Sequence, residues 1–232
     1  MRFMQIGVGL LAALAAVPAF AADPAVEAPA AAPFSWSGFY AGVQAGYAWG
    51  ESDADYFELV PPGVTPMDPD GGLIGGYVGY NHQFANNVVL GVDADIAYAN
   101  VDGTGIFIDG AFGPQPGETD SARLEWSGAV RGRAGFAMGR FLPYVAGGVA
   151  FGGVDHEAVS ANPVFNGSWS DTYTGYTVGA GAEYAFTDKV IFRGEYRFTD
   201  FGSQTFSNNV PGTGHEVDLS TSDVRFGVAV KF

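Results

Sequence analysis

Cysteine is absent from all 232 residues, which excludes disulfides, zinc–thiolate centres and thiol catalysis. Lysine is nearly absent as well, with only Lys189 and Lys231 in the whole chain. Ten Lys and Arg stand against 25 Asp and Glu, for a net charge of −15. The clustered cations that nucleic acid, heparin or an anionic membrane surface would require are therefore missing, and no nucleic-acid partner is expected. After the first twenty-odd residues, no run approaches the ~18 consecutive apolar residues of a membrane helix. P-loop, HExxH, GxSxG and EF-hand patterns do not occur.

What is present begins with a removable leader. Arg2 precedes an apolar stretch from Phe3 to Phe20 that ends in Ala19-Phe20-Ala21, the pattern of a secretory signal peptide over residues 1–21 with cleavage after Ala21. The stretch is too short for a membrane span and Pro18 interrupts it. Residues 22–34 are Pro- and Ala-rich and read as a periplasmic linker, too short and plain for a peptidoglycan-binding domain. From residue 35 to Phe232 the texture is short segments of period two bounded by turn residues.

Side chains alternate across a strand, so each segment can be written as two faces. In "GFYAGVQAGYAWG" one face is Phe39, Ala41, Val43, Ala45, Tyr47 and Trp49, and the other is Gly42, Gln44, Gly46 and Gly50. In "VVLGVDADIAY" Val88, Leu90, Val92, Ala94, Ile96 and Tyr98 oppose Asp93 and Asp95. In "RLEWSGAVRGRAGF" Leu124, Trp126, Val130, Ala134 and Phe136 oppose Arg123, Glu125, Arg131 and Arg133. Two further runs, Leu73 to Gln83 and Leu142 to Gly152, alternate less cleanly. About eight strands result. Tight turns at 85–87, 137–140 and 187–189 alternate with long connections at 51–70, 100–121, 154–171 and 200–221. The simplest all-β geometry is an up-and-down antiparallel barrel with every long loop at one end.

Charge decides which face is inside. "VIFRGEYRF" places Arg193, Glu195 and Arg197 at alternate positions, and an Arg on the lipid side near the bilayer midplane costs roughly 2 to 4 kcal/mol. The bulky apolar face therefore meets lipid, and the small, charged face lines the lumen of a transmembrane β-barrel. By the same alternation Asp93, Asp95, Glu125, Arg131, Arg133, Glu183 and Arg225 also point inward, forming an expected ion-pair network. A narrow barrel of the OmpA/OmpX kind has its interior filled by side chains, so the network is expected to close the tube; a gated or selective pore is the competing reading. Tyr40, Tyr47, Trp49, Tyr80, Tyr98, Trp126, Tyr144, Tyr184 and Phe232 fall near strand ends, as interfacial aromatic girdles require.

"FSWSGFYAGVQAGYAWG" after a Pro/Ala linker, "GGYVGYNHQF", "VVLGVDADI", "VRGRAGF", "LPYVAGGVAFG", "YTVGAGAEYAF" and the terminal "RFGVAVKF" together resemble the outer-membrane immunogenic, porin-like proteins of rhizobia, brucellae and bartonellae. The resemblance runs in order from Phe34 to Phe232. It implies a small outer-membrane β-barrel with periplasmic termini and extracellular long loops, surrounded by lipid and lipopolysaccharide. Phe232 resembles the terminal signal read by the barrel-assembly machinery.

The long connections hold sixteen carboxylates and no Lys or Arg, so they are expected to form an anionic cap that contributes solubility. Pairs such as Asp53 with Asp55 and Asp68 with Asp70 suit weakly held Ca²⁺ or Mg²⁺. His156 and His215, beside Glu157 and Glu216, are candidates for haem capture. Asp155-His156 has the residue types of a rim protease, with nothing to fix a geometry. The expected function is non-enzymatic and cofactor-free: envelope integrity and contact with a host ligand or the environment through acidic loops. A narrow porin, or a haem or host-surface receptor, is the alternative.

Overall fold

The computed structural model describes residues 34–56, 62–161, 166–207 and 214–232, with the backbone alone at 206, 207, 214 and 215. The expected signal peptide with its Ala21 cleavage site, and nearly all of the linker, lie outside the described residues. The described residues form nine strands, in chain order β1 (Gly38–Tyr56), β2 (Gly63–Met67), β3 (Asp70–Gln83), β4 (Val88–Asp109), β5 (Gly113–Phe136), β6 (Phe141–Val159), β7 (Gly167–Ala185), β8 (Val190–Ser207) and β9 (Gly214–Lys231). Eight of them form an antiparallel ring, β1-β3-β4-β5-β6-β7-β8-β9, closed by β9 pairing back onto β1 from Tyr40↔Lys231 to Asp55↔Glu216. The short β2 lies against the upper part of β1 and touches β4 at Val64↔Ile108. Among the described residues no helix is long and apolar enough to cross a membrane.

Three tight turns join strands at the end where β1 begins and β9 finishes. Asn87 takes φ 66 and Gly139 φ 63 in two of them, the left-handed conformation that Asn and Gly adopt most readily. At the other end the expected long loops are mostly paired strand. β4 and β5 continue as a hairpin to Asp109↔Gly113, and β8 and β9 to Ser207↔Gly214. Period-two pairing needs only alternation, and the polar alternation of these segments supplies it without the apolar residues that mark a strand in sequence.

Along each long strand the two faces exchange character. On β4 the outer face is Leu90, Val92, Ala94, Ile96 and Tyr98, then Asn100, Asp102 and Thr104; the inner face is Asp93 and Asp95, then Ala97, Ala99 and Val101. β9 repeats this, with Phe226, Val228 and Val230 outside over inward Arg225, and Glu216 and Asp218 outside over inward Val217 and Leu219. The apolar outer run from Leu90 to Tyr98 is nine residues, about what a tilted strand needs to cross hydrocarbon. Above it, apolar side chains have water outside and gain by turning inward. Tyr47, Trp49, Tyr98 and Tyr176 stand exposed at the upper boundary and Phe39, Tyr80, Phe136, Tyr184, Phe186 and Phe232 at the lower, two aromatic belts as at bilayer interfaces.

Candidate functional site

The interior at bilayer level is a chain of ions of strictly alternating sign. From top to bottom it runs Asp223, Arg225, Asp95, Arg197, Glu195, Arg131, Asp93, Arg193, Glu183, Arg133. Five carboxylates balance five guanidiniums, and every member is buried. Arg131 is the central link: Nε and Nη2 donate to the two Asp93 oxygens at 2.9 and 3.1 Å, and Nη1 and Nη2 donate to Glu195 at 2.7 and 3.1 Å. Arg197 donates to both Asp95 oxygens at 3.0 Å and through Nε to Glu195 at 2.9 Å. Arg225 forks onto Asp223 at 2.6 and 3.0 Å and reaches Asp95 at 3.0 Å. Such planar forks match carboxylate geometry, which is why all five cations are Arg rather than Lys.

Tyrosines finish the lower end. Tyr144 donates to Glu195 at 2.7 Å and lies under the Arg133 guanidinium, 3.9 Å from ring centre to Cζ. Arg193 covers the Tyr77 ring at 4.1 Å, and Arg133 donates to the Tyr40 hydroxyl at 2.9 Å. Inner glycines make room for these rings: a Cβ on Gly181 would lie 2.8 Å from the Tyr144 hydroxyl, and one on Gly227 2.9 Å from the Tyr77 ring. Among the described residues Arg133 Nη2 and Glu183 Oε2 have no hydrogen-bond partner, so the lower terminus of the ion chain is its least satisfied part.

Apolar layers lie below and above. The floor includes Trp36, Val89, Leu142, Ala185 and Ile191. Trp36 is only 1% exposed; its indole donates to Gly139 O at 3.0 Å and its backbone N–H to Gln83 Oε1 at 2.8 Å. The roof includes Leu73, Val101, Leu124, Val154, Phe201 and Leu219. Between roof and ions, among Ser127, Arg197, Thr199, Thr221 and Asp223, lies a cavity of about 10 Å³, close to the least that holds one water.

A ring of eight antiparallel strands, oily outside and polar inside, with an aromatic belt at each boundary, is the general arrangement of an outer-membrane β-barrel. The family described as outer membrane protein beta-barrel domain matches residues 10–232. The chain belongs to this outer-membrane β-barrel family. Its outer-membrane location follows from that membership. It is 37% identical over 246 residues to the 31 kDa outer-membrane immunogenic protein of Brucella melitensis, covering 96% of this chain and 97% of the relative. It is 31% identical to the 22 kDa outer membrane protein of Rhizobium leguminosarum bv. viciae, covering 90% and 83%. Among solved structures, the outer membrane protein OprG from Pseudomonas aeruginosa superposes with a TM-score of 0.56 at 15% identity, covering 84% of this chain and 96% of that one, a likeness of fold.

Within this outer-membrane barrel, nine of the ten residues expected in the lumen network meet in one chain of contacts, and Glu125 does not. Pairing shifts between Leu124↔Val154 and Trp126↔Gly153 leave Glu125 as the additional residue of a β-bulge. Beyond it the parity of β5 reverses, so Leu124, Ala122 and Asp120 turn inward while Glu125 and Arg123 are exposed. Strict alternation cannot register an inserted residue. Asp223, missing from the expected set, is the upper terminus of the network; its spacing of two from Arg225 was the available signal. Tyr40 and Tyr144, expected in the girdles, are buried in the lumen, because Tyr40 shares parity with Gly42 and Gln44.

His156 is not a loop residue. It sits on β6, 1% exposed, with its ring stacked on Trp169 at 5.7 Å and Nε2 3.8 Å from Asp120. Burial lowers its pKa to about 4. That position gives no access to a haem; the His215 side chain lies outside the described residues. Among the described residues no three His, Asp or Glu are grouped to hold a metal ion. Asp53 and Asp218 adjoin at the upper rim, where the Asp53 N–H donates to Asp218 Oδ1 at 3.1 Å. Both have raised pKa values, first through burial and then through the surrounding acids.

Proposed function

We propose that the protein is a closed, non-enzymatic barrel that braces the outer membrane and displays acidic hairpins at the cell surface. The carrying observation is the uninterrupted chain of five Arg and five carboxylates between two apolar layers. A pore needs a continuous wet path, whereas here ions fill the tube between an apolar roof and an apolar floor, and the cavity beside the upper ions holds about 10 Å³. Opening the chain would leave buried charges unpaired, at several kcal/mol each, so the network favours a sealed tube over the narrow-porin reading.

Orientation follows the same logic. Short turns share an end with the start of β1 and the finish of β9, as short periplasmic turns do in such barrels, and the long hairpins then face the medium. Lipid and lipopolysaccharide surround the apolar band, and a host or environmental ligand meets the hairpins. Phe232, exposed after the last paired residue of β9, is offered to the barrel-assembly machinery. The relatives are named for immunogenicity and location rather than for a reaction, which supports a surface role without catalysis.

Purified protein in planar bilayers tests the sealed tube: the expected record is baseline current with rare small openings. Large, steady conductance would refute it. Proteolysis of intact cells tests the orientation, with cleavage expected only in the hairpins.

A further inference from the structure

Above the bilayer band the barrel wall is not joined all round. β7 pairs with β8 only from Tyr176↔Asp200 down to Ala185↔Ile191. Higher up, β7 remains paired with β6 as far as Ala158↔Gly167, and β8 with β9 as far as Ser207↔Gly214. Among the described residues no pairing joins these two upper halves. The parting has a local cause: β8 shifts register between Asp200 and Ser203, where Gly202 takes φ +70 and Phe201 turns inward. Each upper half thus presents strand edge to a seam, and strand edges recruit further strands through backbone hydrogen bonds.

The outer surface beside the seam is ordered in rows. Hydroxyls come first, Ser168 and Ser170 on β7 and Ser203 and Thr205 on β8. One strand further out on each side come acids: Glu157 pairs with Ser168 and Asp155 with Ser170, while Asp218 pairs with Ser203 and Glu216 with Thr205. Arg123, across from Asp155 on β5, is the single basic residue near these rows among the described residues. At a strand spacing of about 4.8 Å, each acid row lies about 10 Å from a backbone seated in the seam, a distance that an extended Lys or Arg and a carboxylate side chain close between them.

We propose that this seam docks an extended cationic peptide, which adds a strand at the β7–β8 parting and reaches over the hydroxyl rows to Asp155, Glu157, Glu216 and Asp218. The edge supplies affinity without regard to sequence, and the acid rows select positive charge. The proposal shares with the surface-display reading only the assumption that this rim is outside.

The test uses the mature protein in phosphatidylcholine nanodiscs, where both rims are accessible, with empty discs subtracted. The probe is a fluorescent decapeptide of alternating Lys and Thr. Saturable binding is expected, about tenfold weaker for the same peptide N-methylated on alternate amides, which blocks strand pairing. A similar loss is expected for the combined E157Q, E216Q and D218N protein, whose folding is checked by heat-modifiable migration. Absence of binding, equal binding of the N-methylated probe to unaltered protein, or undiminished binding to the folded neutralised variant would overturn the proposal. Surface proteolysis of cells reads the orientation separately.

Discussion

Replacing Arg131 by methionine removes the central link of the ion chain. Asp93 and Glu195 each lose a two-pronged partner, and the lumen goes from five charges of each sign to four cations against five anions. Breaking a buried pair by deleting one partner costs about 3 to 5 kcal/mol. Two carboxylates are affected, but neither is stranded: Glu195 keeps Arg197 at 2.9 Å and the Tyr144 hydroxyl at 2.7 Å, and Asp93 keeps Arg193 at 3.6 Å. The expected loss is therefore about 4 kcal/mol rather than twice that. Adding Asp93→Asn restores four charges of each sign, and the pair should recover about 2 kcal/mol relative to the sum of the single changes. Urea unfolding of protein refolded into lipid vesicles, followed by tryptophan fluorescence and heat-modifiable migration, measures both quantities. A loss under about 1 kcal/mol for Arg131→Met, or strict additivity in the double variant, would show that the chain is ornament rather than a coupled plug.

Other perturbations address the remaining elements. Ala94→Arg, in the middle of the apolar outer run of β4, should cost about 2 to 4 kcal/mol, and Asn100→Arg above the band about 1 kcal/mol or less, in the same unfolding assay; equal costs would place the hydrocarbon boundary elsewhere. Deleting Glu125 takes out the additional residue of the bulge, so Leu124 should stay inward beside outward Trp126 and Arg123 should stay outside; a cysteine introduced at Leu124 should remain protected from a membrane-impermeant thiol reagent, and reactivity there would contradict the bulge account. His156 has a folded pKa of about 4 against an ordinary 6.5, so the unfolded chain takes up the proton first. The stability it allows is complete above about pH 6.5 and is lost progressively as pH falls towards about 4. Amide protection factors around residues 154–158, taken relative to the intrinsic exchange rate at each pH, should fall across that window and lose the slope in His156→Phe; an unchanged slope would assign it to other groups.

The barrel was legible from residues whose placement has one affordable answer. Arg193, Glu195 and Arg197 alternate within an apolar strand, and only the lumen accepts them, so a single segment settled inside from outside for the whole tube. Asp93, Asp95, Arg131, Arg133, Glu183 and Arg225 followed by parity. The upper hairpins were harder to see because their strands alternate polar residues outward with Ala, Gly and Val inward, a pattern that also describes loops.

Alternation of residue type, set by the cost of charge in hydrocarbon, determined the fold class, the lipid face and most of the ionic interior from sequence alone. Tertiary structure decided which acid pairs with which arginine, because partners such as Asp95 and Arg225 lie 130 residues apart and meet only when β9 closes on β1. It also decided the facing of Glu125 and the seam between β7 and β8, since a bulge shifts parity through backbone hydrogen bonding that no residue count records.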